Sequence, residues 1–259
     1  MKEKLAIVKI GGNVIEDKTE LNRFLRRFAD LPGLKILVHG GGKRATHLGR
    51  KMGIPSQMVN GRRITDAATL EVITMVYAGL TNKNIVAQLQ ALQCNAIGLS
   101  GADANIIKAR KRPVGTIDFG FVGDVESVQT EMLIALLTAP LTPVCCAMTH
   151  DGRGQLLNTN ADTIAAELAI ALSVAYETTL YYCFEKKGVL ENVDQDDSVI
   201  PHINKEKYAQ LLDQGIIADG MLPKLENCFH ALEQHVAKVC LGDSTMLSPK
   251  ASHFTTLTL

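Results

Sequence analysis

Short runs of Val, Ile and Leu alternate with longer amphipathic stretches along nearly the whole chain, and this alternation limits the folds that it can adopt. Residues 5–10 and 35–38 have the length and composition of buried strands, whereas residues 21–31 repeat their apolar side chains at helical spacing. Strands that are separated by helices of this length join through right-handed crossovers into a parallel sheet. The sequence therefore predicts an α/β fold, a three-layer αβα sandwich with a largely parallel central sheet.

The chain contains no linker between its two halves. A boundary near residue 175 falls between a predicted helix over residues 162–172 and a predicted strand over residues 178–184. We expect residues 1–175 and residues 176–259 to form two halves that share one continuous sheet.

Three segments carry more specific local predictions. Residues 67–92 have the length of one helix of several turns that begins after Thr65, which we expect to be its N-cap. Residues 106–118 contain a proline and a glycine among basic residues, which is typical of a two-stranded hairpin near a sheet edge. Residues 60–65 read as a turn that carries two arginines.

The charge balance and the cysteines argue against several classes of protein. Lys and Arg number 27, as do Asp and Glu, so the formal net charge is zero and the basic face of a nucleic-acid binder is not expected. No apolar run approaches the roughly 20 residues of a membrane helix, and the first residues lack the features of a secretory signal. The six cysteines show no C-x-x-C spacing and no Cys/His cluster, which predicts reduced, buried thiols in a cytoplasmic protein without a structural metal.

A lysine lies inside the first apolar run, and two glycines follow it. In the segment AIVKIGG, Lys9 precedes Gly11 and Gly12. A charge near the end of a buried strand is costly unless it has a partner, although an edge-strand lysine can also extend to water. Because glycine lets backbone N–H groups approach an anion, and ligands of open α/β sheets bind at the carboxyl ends of strands, the segment indicates a phosphate site.

A second glycine-rich turn, His39-Gly40-Gly41-Gly42, follows the next predicted strand. Its N–H groups and the helix N-terminus behind it suit a negative ligand. The two common nucleotide motifs do not explain this turn. Gly40-x-Gly42-x-x-Ala45 matches the dinucleotide fingerprint, but no acidic residue follows about 20 residues later. The Walker spacing fails as well, because Lys43 is followed by Arg44.

The predicted turn at residues 60–65 carries two guanidinium groups. Arg62 and Arg63 each present a planar fork that binds a carboxylate through two hydrogen bonds. A solvated loop arginine is the more common alternative. One of the two is a candidate for holding a carboxylated substrate.

Two further segments place charged residues at predicted helix starts. In residues 158–162 (NTNAD) an asparagine can serve as the N-cap, and Asp162 falls in the first turn, where a carboxylate can orient lysine ammonium groups. Behind Asp219-Gly220, Lys224 lies in the first turn of another helix. A cation at that position is unfavourable unless an anion lies nearby.

These segments occur in one order along the chain, K-I-G-G, H-G-G-G, N-G-x-R-x-T, N-x-N-A-D and D-G-M-x-x-K. In that order they resemble the amino acid kinase superfamily, and N-G-R-R-I-T with N-T-N-A-D resembles its acetylglutamate kinase family. The resemblance extends from Leu5 to about Leu241. It implies the amino acid kinase fold and the ATP-dependent phosphorylation of the γ-carboxylate of N-acetyl-L-glutamate to N-acetyl-L-glutamyl 5-phosphate, in arginine biosynthesis.

The resemblance also implies roles for individual residues and for the two halves. Lys9 and Lys224 would neutralise charge on the transferring phosphoryl group, and Asp162 would organise the two lysines. Residues 1–175 would bind the acyl amino acid and form the dimer contact, and residues 176–259 would bind ATP. The acyl amino acid would be held by Gly41, Gly42, Arg63, Asn158 and Asn160. ATP would be bound by Gly11, Gly12, Glu185, Lys187, Gly188, Leu190, Asp219 and Gly220. Mg²⁺ would be carried by the phosphates of ATP.

Two segments depart from the family pattern. Residues 184–189 (FEKKGV) replace the usual D-V-x-G-V/I-like segment, and residues 244–259 lack the usual G-T-x-I ending. Arginine-inhibited members carry a helix ahead of the first strand, which here begins near Leu5. We therefore expect an arginine-insensitive homodimer that binds neither nucleic acid nor membrane.

Other interpretations stay open. No motif reads the acyl group, so a kinase for another N-acyl-glutamate, such as N-succinyl-L-glutamate, is an alternative. A non-catalytic arginine or nucleotide sensor on the same fold is a second alternative, and a nicotinamide-dependent dehydrogenase is a third.

Overall fold

The structure is a computed structural model that describes residues 2–59, 61–192, 194–217 and 221–259. Its strands are β1 (Lys4–Ile10), β2 (Leu34–His39), β3 (Gln57–Val59), β4 (Arg62–Ile64), β5 (Ala96–Leu99), β6 (Ile107–Lys111), β7 (Gly123–Val128), β8 (Thr142–Cys146), β9 (Met148–His150), β10 (Leu156–Asn158), β11 (Glu177–Cys183), β12 (His202–Ile203), β13 (Lys238–Gly242) and β14 (Thr255–Leu257). Its α-helices are α1 (Gly12–Glu16), α2 (Lys18–Asp30), α3 (Gly42–Lys51), α4 (Ala67–Thr74), α5 (Asn82–Ala91), α6 (Thr130–Thr138), α7 (Ala161–Leu172), α8 (Lys205–Asp213) and α9 (Leu222–Glu233). A π-helical segment covers Met75–Thr81, and short 3₁₀ turns cover Asp103–Asn105 and Ser244–Leu247.

A central sheet extends through both halves of the chain. Within the described residues its strand order is β12-β14-β13-β11-β1-β2-β8-β5. Neighbouring strands pair in parallel, except that β13 and β14 are antiparallel. Because β1 pairs with β2 on one side and with β11 on the other, the two halves share one continuous sheet. The predicted α/β sandwich with a largely parallel central sheet is confirmed.

Helices cover both faces of this sheet and bury a core on each. On one face, Phe24 of α2 and Ile85 of α5 pack with Val8 of β1. On the other face, Ile7 belongs to a core that includes buried residues of α4, α6, α7 and α9. Successive side chains of a strand point to opposite faces, so Lys9 lies on the same face as Ile7, beneath α7.

The predicted hairpin over residues 106–118 is wrong in its second strand. β6 pairs antiparallel with β7, which begins only at Gly123, and it also pairs with β9 in a second sheet of order β10-β9-β6-β7. Pro113 and Gly115 lie in the loop between β6 and β7. Proline has no N–H to donate to a ladder, so the proline marks the end of a strand here rather than its continuation.

The helix predicted over residues 67–92 is interrupted. The π-helical segment Met75–Thr81 separates α4 from α5. The N-cap of α4 is Asp66 rather than Thr65, because the Asp66 side chain accepts a hydrogen bond from the Thr69 N–H. Segments of π-helix are frequent near functional sites, and this one carries Tyr77 to the cavity described below.

The C-terminal residues, for which the sequence suggests no role, complete one edge of the central sheet. After the 3₁₀ turn at Ser244–Leu247, β14 lies between β12 and β13. The six cysteines are all buried and free, which confirms the prediction of reduced, buried thiols. None of the helices in the described ranges combines the length and the apolar character needed to cross a membrane.

One buried lysine stabilises the end of a helix. Lys35 Nζ donates hydrogen bonds to the carbonyls of Ala29 and Leu31, at 2.6 Å and 2.7 Å, and lies 5.4 Å from the ring centroid of Phe28. We expect Lys35→Met to lower the free energy of unfolding by about 2 kcal/mol, because the carbonyls at the end of α2 lose a charged donor. Urea denaturation measures this loss. Lys18→Met, at the exposed start of α2, is the control, and an equal loss in both variants would contradict the prediction.

Candidate active site

A cavity of about 590 Å³ lies at the carboxyl ends of β1 and β2. Among the residues singled out from the sequence, it is lined by Lys9, Gly12, Gly41, Gly42, Arg63, Asn158, Asn160, Asp162 and Lys224. One cavity therefore brings together the residues predicted for catalysis and those predicted for the acyl amino acid.

Asp162 lies between the two predicted catalytic lysines. Its Oδ1 is 2.7 Å from Lys9 Nζ, and its Oδ2 is 3.4 Å from Lys224 Nζ. Lys9 comes from the end of β1, Asp162 from the first turn of α7 and Lys224 from the first turn of α9. Three elements that are distant in the chain place two cations against one carboxylate.

The environment of Asp162 keeps this carboxylate ionised. Burial by itself raises the pKa of the Asp162 carboxyl, but the charges of Lys9 and Lys224 outweigh burial and hold the pKa below its ordinary value. The Asn160 side chain accepts hydrogen bonds from the N–H groups of Asp162 and Thr163, so Asn160 is the N-cap of α7. Asp162 is thus an anion at neutral pH, held at a helix N-terminus that favours negative charge.

The glycine-rich turn after β2 is held by a buried histidine. His39 Nδ1 is 2.7 Å from Gly40 O, and Nε2 is 3.0 Å from Asn82 Nδ2. Since the amide nitrogen of Asn82 can only donate, Nε2 accepts and the proton on Nδ1 is donated to Gly40 O. Gly41 has a φ of 156°, and a Cβ there would lie 3.0 Å from Tyr77 Cδ1, so a side chain at this position would be strained.

The same histidine makes stability depend on pH. Burial lowers the pKa of His39 to about 4 from the ordinary value of 6.5. As pH falls below about 6.5 the unfolded chain binds a proton that the folded protein does not, so the folded state loses about 3 kcal/mol by pH 4. Urea denaturation from pH 7 to pH 4.5 should show a steeper loss for the unsubstituted protein than for His39→Asn, which retains a donor near the Nδ1 position. Parallel curves for the two proteins would contradict the prediction.

Arg63 lies on β4, which pairs antiparallel with β3, and not in the predicted turn. Its Nη2 donates to Gly42 O at 2.9 Å and to Thr46 Oγ1 at 2.8 Å, and its Nη1 donates to Ser56 Oγ. These hydrogen bonds fix the guanidinium against the start of α3 at the wall of the cavity. Asn60, also part of the predicted turn, lies outside the described residues.

Asn158, the last residue of β10, lines the cavity and is hydrogen-bonded to the segment that follows β4. Asn158 Nδ2 donates to Thr65 Oγ1 at 3.0 Å, and Thr65 directly follows β4. Thr65 is fully buried. Hydrogen bonds therefore hold Arg63 against Gly42 and hold Asn158 against Thr65, the second residue after Arg63.

The residues predicted to bind ATP are only partly at this cavity. Gly12 lines it. Gly11 N–H donates to Cys183 O at 2.8 Å, so this N–H continues the pairing of β1 with β11 instead of facing an anion. Residues outside the cavity lining are Glu185, Lys187, Gly188 and Leu190. Asp219 and Gly220 lie outside the described residues.

Three of these residues make contacts with other parts of the C-terminal half of the chain. Lys187 Nζ is paired with Asp197 Oδ1 at 2.5 Å. A Cβ on Gly188 would lie 2.6 Å from Thr255 Oγ1, so close packing accounts for that glycine. Leu190 is buried and forms an isolated bridge with Val199. The ATP-binding role of this loop stays a prediction.

Several residues at the site belong to no motif that the sequence analysis identified. Tyr77, Arg112 and Phe119 line the cavity, and no motif marks them. Tyr182 and Phe184 surround Lys224. Their two-residue spacing at the end of a predicted strand puts them on one face, which is the only signal that the sequence offers for them.

The chain is similar in sequence to proteins of one known family. The model of the amino acid kinase family matches residues 4–243. An acetylglutamate kinase from Phocaeicola vulgatus is 56% identical over 241 residues, which cover 93% of this chain and 94% of that protein. An acetylglutamate kinase from Cytophaga hutchinsonii is 55% identical over 246 residues, which cover 95% and 93%.

A solved structure with low sequence identity shows the same fold. The N-acetylglutamate synthase from Neisseria gonorrhoeae, complexed with coenzyme A and N-acetyl-glutamate, superposes with a TM-score of 0.81 at 20% identity, covering 100% of this chain and 60% of that one. Family match, sequence identity and fold all agree, and the chain belongs to the amino acid kinase family and, within it, to the acetylglutamate kinases.

Proposed function

We propose that this enzyme transfers the γ-phosphoryl group of ATP to the γ-carboxylate of N-acetyl-L-glutamate and forms N-acetyl-L-glutamyl 5-phosphate, a reaction of arginine biosynthesis. The observation that carries the proposal is the arrangement of Lys9, Asp162 and Lys224 at the wall of a cavity that also holds Arg63. The curated relatives at 55–56% identity are named acetylglutamate kinases.

The chemistry of a carboxylate acceptor suits this arrangement. A γ-carboxyl group has an ordinary pKa of about 4.3, so it is already an anionic nucleophile at neutral pH and needs no general base. The barrier is electrostatic, because a carboxylate must approach a triphosphate and the loose transition state carries spread negative charge. Two ammonium groups held at fixed positions would stabilise that charge without reorganising during the reaction.

The substrate groups would divide among the residues of the cavity. Arg63 would bind the α-carboxylate through its guanidinium, with Asn158 and the backbone of Gly41 and Gly42 beside it. Asp162 would not contact the substrate but would keep the two lysines in place. Asn160 would contribute to the substrate side and also caps α7.

ATP would enter as its Mg²⁺ complex, with the ion held by phosphate oxygens. One feature of the site supports this assignment, because Asp162 is already engaged by two lysines. Residues 176–259 would bind the nucleotide and residues 1–175 the acyl amino acid, so that the transfer takes place where Lys9 and Lys224 meet.

A second acyl-glutamate is favoured by one observation. Arg62 and Arg112 line the same cavity as Arg63. Arg112 is held by Asp124, with Nη2 2.6 Å from Oδ1, and lies 5.7 Å from the ring centroid of Phe119. Cations beyond the one needed for the α-carboxylate would suit an acyl group that ends in a carboxylate, such as N-succinyl-L-glutamate.

A coupled assay of ADP release tests the function. N-acetyl-, N-succinyl- and free L-glutamate are compared at equal concentrations, with ATP and Mg²⁺ in excess. Turnover of N-acetylglutamate supports the first candidate, and exclusive turnover of the succinyl compound replaces it by the second. If no ADP is released with any of the three acceptors, both candidate kinase activities are refuted and a sensor is favoured. Binding of NADPH would favour a dehydrogenase.

We also propose a cytoplasmic homodimer. Met75 and Leu80, on the π-helical segment, are exposed to 47% and 51%, and a second copy of the chain would bury such apolar surface. Six free thiols fit a reducing compartment. Light scattering gives the assembly, and a monomer or a hexamer in solution would refute the proposal.

A further inference from the structure

Lys224 is contacted by two aromatic rings as well as by Asp162. Its Nζ lies 5.3 Å from the ring centroid of Tyr182 and 5.5 Å from that of Phe184. A cation within about 6 Å of a ring face is attracted by the negative side of the π-system. The ion pair between Lys224 and Asp162 is longer than the one between Lys9 and Asp162. Lys224 Nζ is 3.4 Å from Oδ2, whereas Lys9 Nζ is 2.7 Å from Oδ1.

The position of Lys224 requires such support. It is the third residue of α9, where the helix dipole disfavours a positive charge. A second carboxylate would relieve this cost, but it would also neutralise the charge that a phosphoryl group needs. An aromatic face attracts the ammonium group and carries no net charge. The rings therefore hold the lysine in place and leave its charge available.

The two rings are themselves fixed by the central sheet. Tyr182 is 1% exposed, and its hydroxyl donates to the main-chain carbonyl of Asp162 at 3.0 Å. Phe184 follows β11, and its N–H donates to Gly242 O at 2.9 Å. Tyr182 of β11 also pairs in register with Lys9 of β1. The same tyrosine is therefore next to Lys9, Asp162 and Lys224.

We propose that Tyr182 and Phe184 form an aromatic seat that positions Lys224 for phosphoryl transfer. Both are positioning residues, since they act through the lysine and not on the substrate. The inference rests on the proposed function and adds to it the means by which one of its two cations is placed.

Fluorination of one ring separates the cation–π attraction from packing. Replacing Phe184 with phenylalanines that carry one, two and three ring fluorines weakens the negative face in steps while the shape changes little. We expect kcat to fall in the same order, by about fivefold for the trifluorinated ring, while KM for the acyl-glutamate stays constant. The matched control is the same series at Phe229, a buried ring that packs against Tyr208 at 5.0 Å between centroids. A rate that is insensitive to fluorine at position 184, or equally sensitive at position 229, would overturn the proposal.

A second measurement needs no turnover, so it distinguishes failure of the seat from failure of the proposed function. The ε-methylene resonance of Lys224, assigned by its loss in Lys224→Arg, should be shifted upfield by the two ring currents. Phe184→Leu should move it back toward the position of a solvated lysine. An unshifted resonance in the unsubstituted protein would overturn the seat. A shifted resonance in a protein that phosphorylates no acyl-glutamate would retain the seat and refute only the function.

Discussion

Replacing Lys9 by methionine is expected to lower kcat about a thousandfold while the protein stays folded. Methionine retains the length and the apolar contacts of the side chain but removes the ammonium group. The charge is needed most in the transition state, where negative charge spreads over the transferring group, so kcat should fall far more than either KM changes. Steady-state kinetics for the acyl-glutamate and for ATP measure the effect.

The matched control lies on the same strand. Lys4→Met removes an exposed ammonium group from the opposite end of β1 and should leave kcat unchanged. Circular dichroism and urea denaturation verify that both variants fold. A Lys9→Met protein with kcat within tenfold of the unsubstituted enzyme would remove the lysine from the mechanism.

Asp162→Asn is expected to lower kcat about a hundredfold and to destabilise the protein by about 1–2 kcal/mol at pH 7. Asparagine has the shape of aspartate without its charge. Lys9 and Lys224, whose side chains are exposed to only 14% and 23%, then lose their shared counter-charge and repel one another. Kinetics and urea denaturation measure the two effects separately.

The stability effect of Asp162→Asn has a predictable pH dependence. The lysines hold the pKa of Asp162 below its ordinary value of 3.8, so on acidification the unfolded chain binds this proton before the folded protein does. The stabilisation by Asp162 is complete above about pH 4 and is lost as pH falls below that value, and the gap between the two proteins should close there. Asp213→Asn, at the exposed end of α8, is the control. A gap of constant size down to pH 3 would contradict the ion-pair account.

The regular part of the fold follows from hydrophobic pattern alone. The alternation of apolar runs and amphipathic stretches predicts six strands of the central sheet and most of the helices between them, since a parallel sheet buries its strands on both faces, but it predicts neither β12 nor β14. The exceptions are segments where a long-range contact outweighs the local pattern. β6 pairs with β7, after a loop that contains Pro113, and Arg63 lies on a short strand that pairs with β3.

Some residues of the candidate site can be identified from the sequence and others cannot. Lys9, Asp162 and Lys224 are identifiable because each is a charged residue at the end of a strand or the start of a helix, where the fold class places ligands. Tyr182 and Phe184 are not, because two aromatic residues in an apolar strand have the composition of ordinary core. Their relation to Lys224 exists only once α9 packs beside β11.

The sequence by itself determined the α/β class, the family and the charged residues of the site, because periodicity and short motifs are local properties of the chain. Tertiary structure decided which of those residues meet, how Asp162 divides its two oxygens between two lysines, and which rings hold the second lysine. Ion pairs and cation–π contacts depend on distances of a few ångströms between elements that lie far apart in the chain. Only the packing of α7 and α9 on the central sheet sets those distances.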